Sequence, residues 1–287
     1  MKAAMDIGSN SLRLLVCERT AAGTKLIRQS VEETRLGEGF REGILTDASM
    51  ERTLSAIINW QEELKELGVD DLTIFATSAV RDAANREAFR SLLKEKTGVE
   101  LRVLSGEEEA WYSFSGAVSG FDFDRRQCLL IDIGGGSTEL AGFQRGKLKG
   151  ISIPVGAVRW KVMDMRREEV KARFASMLTM NPFDDVRHFI GVGGTVTTAG
   201  AVLGEVSEYT REAIHGRSLD YTTLTQLKRR LAVISLEERK KVIGMPEKRA
   251  DIILYGLEIL EILFEILNIP LLFISDYGIL DGILSDK

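Results

Sequence analysis

The sequence predicts an α/β protein built as two similar halves that face each other across a cleft. Three observations carry this expectation. The stretch MDIGSNSLRLLV, Met5 to Val16, returns in altered form as IDIGGGSTELAG, Ile131 to Gly142. Each copy is an apolar run, an aspartate, a glycine turn with hydroxyls and a second apolar run, and each is followed by alternating strand-like and helix-like segments. The chain has 287 residues, close to two domains at roughly 150 residues each. The expected division is 1–118 for the first domain and 119–276 for the second, with a terminal helix at about 277–287 returning to the first.

In chain order, residues 1–16 read as strand, polar turn and strand, because LRLLVCE carries no helical period after the GSNS turn. TKLIRQSVEETRL continues as strand. A helix follows in TDASMERTLSAIINWQEELKELG, with Thr46 or Asp47 as N-cap and Gly68 at its end. LTIFATSAV is an apolar strand, NREAFRSLLKEKTG a helix closed by Gly98, and ELRVLS a strand. SGEEEAWYSFSGAV opens a helix in which Ser105 and Glu108 have capping-box spacing. The pattern then restarts. QCLLIDIGGGSTELAGF is strand, turn and strand, KGISIPVGAVRW is strand and turn, and a helix runs from about Arg166 to Met180. DVRHFIGVGGTVTTAGAVLG is strand, glycine turn and helix; the remainder is helical to Asn268, where NIP turns. LLFISD is a short strand and YGILDGILSDK a terminal helix.

Composition narrows the class. With 44% hydrophobic and 28% charged residues the chain reads as an ordinary globular protein. A net charge of −5 provides no overall basic field to gather nucleic acid. Asp6 interrupts any signal-peptide core, and ADIILYGLEILEILFEIL carries Glu258, Glu261 and Glu265 at helical spacing, so an amphipathic helix is expected and not a membrane span. The expected location is therefore the cytoplasm. Cys17 and Cys128 are expected buried and reduced. Two cysteines and two histidines do not compose a usual zinc site; a bound metal would be held by carboxylates and phosphate oxygens, which points to Mg²⁺ or Mn²⁺.

The repeated turn has a chemical use. Gly8, Gly134, Gly135 and Gly136 let the backbone approach a ligand, and successive amides in such a turn form an anion-binding concavity. Ser9, Ser11, Ser137 and Thr138 add hydroxyls. Asp6 and Asp132 end the preceding strands, and a carboxylate beside a phosphate makes sense when a divalent cation bridges them. The competing reading is two hairpin turns with aspartate as turn former. GVGGTVTTAG, Gly191 to Gly200, is a third glycine turn that opens a helix; it suits another phosphate or close strand–helix packing. Arg81 in ATSAVRDA suits a phosphate clamp or a surface ion pair. Glu107, Glu108 and Glu109 complement a helix dipole, and spacing alone does not single out a base among them. Arg159, Lys161, Arg166 and Arg167 suit either a polyanion track or a solvated helix face.

Taken together, DIGSNS, TRLGEG, ATSAVRDA, LSGEEEA, IDIGGGSTEL, PVGAVR, GVGGTVTT, IHG, EKRADII and SDYG make the chain resemble the exopolyphosphatase / guanosine pentaphosphate phosphohydrolase family. The resemblance runs from end to end and matches the short form of that family. It implies two ribonuclease H-like, actin-like ATPase domains with a cleft between them, and Mg²⁺-dependent hydrolysis of a terminal phosphoanhydride by water. Carried over motif by motif, it implies Glu109 as general base and Asp132 and Glu139 as holders of metal and attacking water. Gly134, Gly135, Gly136 and Ser137 would cradle phosphate, with Asn10 and Ser11 opposite. Arg81 would bind the phosphate chain, and Thr195 with Gly193 and Gly194 would lie on the far side of the cleft. The residue reading adds Gly8 and Ser9 to the phosphate set and Asp6 to the metal set. One departure stands out: Leu280 and Asp281 occupy places where the family commonly has Arg and Glu, on the terminal helix and away from the glycine turns.

The expected substrate is inorganic polyphosphate, with guanosine pentaphosphate as the alternative. A non-catalytic sensor of either ligand and an ATP-dependent phosphotransferase are the remaining readings. The intact acidic set argues against the sensor, and a glutamate in place of an aspartate base argues against the kinase. A homodimer sharing the apolar helix Arg249–Leu267 and burial of that helix within its own domain explain its sequence equally well.

Overall fold

The computed structural model describes residues 1–20, 23–40, 43–69 and 71–285. The first sheet holds β1 (Lys2–Ile7), β2 (Leu12–Thr20), β3 (Gly23–Glu32), β4 (Asp71–Ala76) and β5 (Leu101–Val103) in the order β3-β2-β1-β4-β5. β1 pairs antiparallel with β2 and parallel with β4. The second sheet holds β6 (Cys128–Ile133), β7 (Thr138–Gln144), β8 (Lys147–Ile153), β9 (His188–Val192), β10 (Ser218–Leu219) and β11 (Leu272–Ile274), ordered β10-β11-β9-β6-β7-β8. Apart from the two-residue β10, the second order reproduces the first, β6 standing for β1 and β11 for β5. The sequence repeat is thus a repeat of topology.

Helices cover both sheets: α1 (Asp47–Glu66), α2 (Ser78–Arg81), α3 (Arg86–Thr97), α4 (Gly106–Ser119), α5 (Ala157–Met163), α6 (Arg167–Met180), α7 (Gly193–Leu203), α8 (Arg211–Ile214), α9 (Tyr221–Ala232), α10 (Leu236–Lys240), α11 (Ile253–Leu267) and α12 (Ile279–Ser285). Local chemistry sets their ends. Thr46 caps α1 by accepting from the Ser49 amide, Gly98 closes α3 in the left-handed region, and Ser105 with Glu108 forms the capping box of α4. The expected turn at GAVRW is instead helix α5: Ala157, Val158 and Trp160 are buried on one side of it. The terminal helix stops at Ser285, and residues 286 and 287 lie outside the described residues.

Alternation along each central strand sorts its side chains to two faces. On β1, Ala3, Met5 and Ile7 pack under α1 and α3, against Leu54, Ile57 and Phe89. On β6, Leu129, Ile131 and Ile133 enter a large core with α6, α7, α9 and α11. α11 is buried there through Leu257, Leu260 and Leu263, while Glu258 and Glu265 accept from Arg167 and Lys228 pairs with Glu258 and Glu261. These contacts engage α11 within its own chain.

The other faces are covered by exchange. α4 follows the first sheet yet lays Ala110, Phe114 and Ala117 on Cys128, Leu130 and Ile190 of the second. α12 follows the second sheet yet lays Ile279, Leu280 and Ile283 against Ala4, Leu15 and Phe75 of the first. Both cysteines are buried and free. α4 and α12 cross at glycines: a Cβ on Gly116 would overlap the Gly278 carbonyl, and one on Gly282 the Tyr112 carbonyl. We expect Gly116→Ala and Gly282→Ala each to cost about 1–3 kcal/mol by overpacking. Gly278→Ala, whose Cβ meets open space, is expected to cost within about 0.5 kcal/mol. Chemical denaturation of the three variants checks this.

Candidate active site

The two glycine turns meet face to face. Gly8 and Gly134 close their turns identically, each amide donating to a serine carbonyl three residues on, at 3.0 Å to Ser11 and 3.0 Å to Ser137. The second turn lies directly on the first. A Cβ on Gly135 would come within 2.8 Å of the Ser9 Cβ, and one on Gly136 would overlap the hydroxyl of Ser78, which itself pairs with the Ser9 hydroxyl at 3.2 Å. Only glycine permits this contact.

From the meeting point opens a cleft of about 620 Å³. Gly8, Ser9, Asn10, Ser11, Glu109, Asp132, Gly134, Gly135, Ser137, Gly193, Gly194 and Thr195 line it. Arg81, Glu139, Asp6 and Gly136 stand behind that lining, in contact with it. Leu280 and Asp281, expected to lie away from the glycine turns, form part of the wall of the same cleft. There Asp281 accepts from Arg211 at 3.0 Å and from the Gly278 amide at 2.9 Å, and so caps α12.

The acidic residues come from four elements. Glu109, in the first turn of α4, is 8% exposed and accepts from the Arg81 guanidinium at 2.7 Å. Arg81 also donates to the Leu104 carbonyl. Asp6 is fully buried and takes two bonds from Arg13 on one oxygen, while its other oxygen, Oδ1, has no partner. Asp132 accepts from the Ser113 hydroxyl at 2.7 Å, and Glu139 from the Ser152 hydroxyl at 2.6 Å.

The two hairpins differ at one matched position. Asp6 stands across the strand pair from Arg13, and Asp132 stands across from Glu139. The first pair is neutral overall; the second is two carboxylates. Burial pushes Glu139 well above the usual carboxylate range, and the neighbouring Glu109 and Asp132 charges push it further. Asp132 is raised mainly by burial, against the opposing pull of Arg13 and the Ser113 hydrogen bond. Burial lifts Glu109 to about 7, with Arg81 pulling it back and Asp132 and Asp6 adding to the rise.

Sequence reasoning missed several participants. Arg13 escaped because its role depends on cross-strand register. Arg249 escaped because EKRADII has no catalytic spacing. Its guanidinium occupies the space a side chain at Gly194 would fill, donates to the Ser11 hydroxyl at 3.3 Å, and keeps a buried Nε without a partner. No ion pair to Arg249 forms among the described residues, and burial lowers its pKa. The third glycine turn therefore holds an arginine against the first. Of the residues that suited either a polyanion track or a solvated face, Arg159 pairs with Asp82, Lys161 with Asp251, and Arg167 with Glu258 and Glu265, which favours the second reading for these three. Arg35 joins Asp251 at 2.5 Å, tying the two halves together beside the cleft. Among the described residues no group of three or more His, Cys, Asp or Glu side chains is placed to hold a metal by itself, and no helix is long and apolar enough to cross a membrane.

Comparison with known proteins follows this geometry. The chain is 30% identical to a bifunctional 3-dehydroquinate synthase/phosphatase of Fusobacterium nucleatum, over 98% of its own length and 46% of that protein's. It thus spans about half of that relative. It is 29% identical to exopolyphosphatase 2 of Mycobacterium tuberculosis, over 98% of this chain and 96% of that one. Among solved structures, the PPX-GPPA enzyme of Aquifex aeolicus superposes with a TM-score of 0.80 at 29% identity, over 99% of this chain and 98% of that one. An exopolyphosphatase-like protein superposes with a TM-score of 0.90 at 27% identity, over 99% and 96%. The pattern of the Ppx/GppA phosphatase family matches residues 15–287, and the chain belongs to that family.

Proposed function

We propose that this chain removes the terminal phosphate of inorganic polyphosphate, with Glu109 activating the attacking water. The observation that carries the reading is Glu109 itself: a buried carboxylate, held by Arg81, beside a cleft walled by two glycine turns. The amides and hydroxyls of the turns at 8–11 and 134–137 hold phosphoryl oxygens, and the Arg249 guanidinium adds charge from the third turn. Arg81 fixes the Glu109 carboxylate. Glu109 takes one proton from water as its oxygen bonds to phosphorus; the bridging P–O bond breaks and the shortened chain leaves with the electron pair. Positioning and charge stabilisation supply most of the rate.

A divalent cation fits this half of the cleft. Asp132 and Glu139 face each other without a bonded cation, and the donor set is all oxygen. Mg²⁺ and Mn²⁺ characteristically take one or two carboxylates and complete their shells with water and phosphate. Asp132 and Glu139 would hold it. Asp6 is the weaker candidate, since Arg13 already engages one of its oxygens. When bound, the cation would offset charge on the phosphoryl oxygens.

Guanosine pentaphosphate is the second reading, and one observation favours it. Three cations line the cleft, Arg13, Arg211 and Arg249. Arg13 is engaged by Asp6 and Arg211 by Asp276 and Asp281. That supply suits a short phosphate chain better than a long polyanion. A protein that binds either ligand without turnover is the outcome to exclude. Orthophosphate release from medium-chain polyphosphate, guanosine pentaphosphate and ATP, compared with Mg²⁺ and with EDTA, distinguishes these. Metal-dependent release from polyphosphate well above the others is expected; release from none would remove the mechanism.

Glu109→Gln is expected to retain ligand binding and to lower kcat by at least about 10²-fold, within the range of a general base. The same variant tests the electrostatics. Glu109 titrates near 7 when folded, against 4.5 for the free side chain. Between those values the folded state keeps a proton that the unfolded chain has released, so stability falls as pH rises through this window. Metal-free Glu109→Gln should therefore melt a few degrees above the parent at pH 8 and together with it at pH 4. Arg249→Met removes a largely desolvated charge that forms no ion pair among the described residues; we expect an unchanged or higher Tm and a kcat/KM about 10²-fold lower.

A further inference from the structure

Position 113 is where α4 touches the second sheet at its most acidic point. Ser113 is fully buried, with Tyr112 and Phe114 on either side of it in the cores. Serine is a poor choice for such a site. Alanine forms helix better, and a buried hydroxyl costs free energy unless it is bonded. Here the hydroxyl has one use: it donates to Asp132 Oδ2 at 2.7 Å. The other oxygen, Oδ1, lies on the side of Gly193, 2.7 Å from where a Cβ on that glycine would stand. The alternation of β6 explains the meeting. Cys128, Leu130 and Asp132 share the face that α4 covers.

The contrast with the first hairpin gives the bond its meaning. Asp6 is fixed by Arg13, which cancels its charge. Asp132 is fixed by a neutral donor, which sets the carboxylate's orientation and leaves its charge in place. Ser113 also follows Glu109 by four residues, so both lie on one face of α4, one turn apart.

We propose that Ser113 is a positioning residue for the hydrolysis: its hydroxyl orients Asp132 without neutralising it, and ties that carboxylate to the helix face that carries Glu109. The proposal rests on the hydrolase reading for its catalytic consequence, and on the geometry alone for its effect on metal binding. Groups that orient a carboxylate ligand typically change metal affinity about 10–100-fold when removed.

The test compares Ser113→Ala, Ser113→Thr and Ser113→Cys with the parent. Calorimetric titration with Mn²⁺ alone, without substrate, reads metal binding. Steady-state orthophosphate release reads kcat and KM, and thermal melting reads the fold. Ser113→Ala is expected to weaken Mn²⁺ binding about tenfold and lower kcat about tenfold, with KM within about twofold. Ser113→Thr, which keeps the hydroxyl, is expected to recover most of both. Parent-like Mn²⁺ affinity and kcat in Ser113→Ala would overturn the proposal, as would equal losses in the alanine and threonine variants, which signal packing. Should the alanine variant not fold, Ser113→Cys, of similar size and a weak donor, carries the same comparison. A parent that releases no phosphate would sink the hydrolase reading, and the Mn²⁺ titration would still decide the role of Ser113.

Discussion

Four carboxylates are buried around one cleft, and every other feature of the site answers to that constraint. Asp6, Glu109, Asp132 and Glu139 are each at most 8% exposed. Ionised carboxylates leave water at a cost of several kcal/mol each unless something replaces the solvent. Two of them have guanidinium partners, Arg13 for Asp6 and Arg81 for Glu109. The other two have hydroxyls, which orient and do not neutralise. Among the described residues the Asp132–Glu139 side thus holds two carboxyl groups with no bonded cation, and burial raises the pKa of both. Against the third glycine turn stands the converse, Arg249, which makes no ion pair among the described residues. Under the proposed function, a cation and a phosphate chain entering together would each find a partner, the cation at Asp132 and Glu139 and the phosphate at Arg249.

The asymmetry is written at one matched site in a duplicated hairpin. Arg13 and Glu139 occupy the same place in their strand pairs, opposite Asp6 and Asp132. Had both halves carried arginine, neither would attract a metal; had both carried glutamate, the charge to be buried would double. The repeated topology supplies two matched walls, and this exchange sets their charge apart, beside Ser9 and Asn10 standing where the second turn has Gly135 and Gly136.

Much of this was legible from residues alone, because it is local. The hairpins, the glycine turns, the caps at Thr46 and Ser105 and the order of strands and helices follow from periodicity and turn chemistry over a few residues. What escaped depends on register or on distant packing. Arg13 means little until it stands across from Asp6. Arg249 looks like any arginine until its guanidinium fills the hollow over Gly194. Arg159, Lys161 and Arg167 look like a basic strip until their carboxylate partners, from 77 to 98 positions away, are in view. The helix after the first sheet has two buried faces, and nothing in its period says that one of them belongs to the second sheet.

The crossing of α4 and α12 bears on how such a chain folds. Each sheet takes part of its cover from the other half: α12 lies with Tyr112 of α4 on the face that holds Asp6, and α4 lies on the face that holds Asp132. The two covering helices meet at the glycines 116 and 282. A ribosome releasing this chain presents the first sheet long before α12 exists to close it. The cover over the face that holds Asp6 is therefore completed only once α12 has been made.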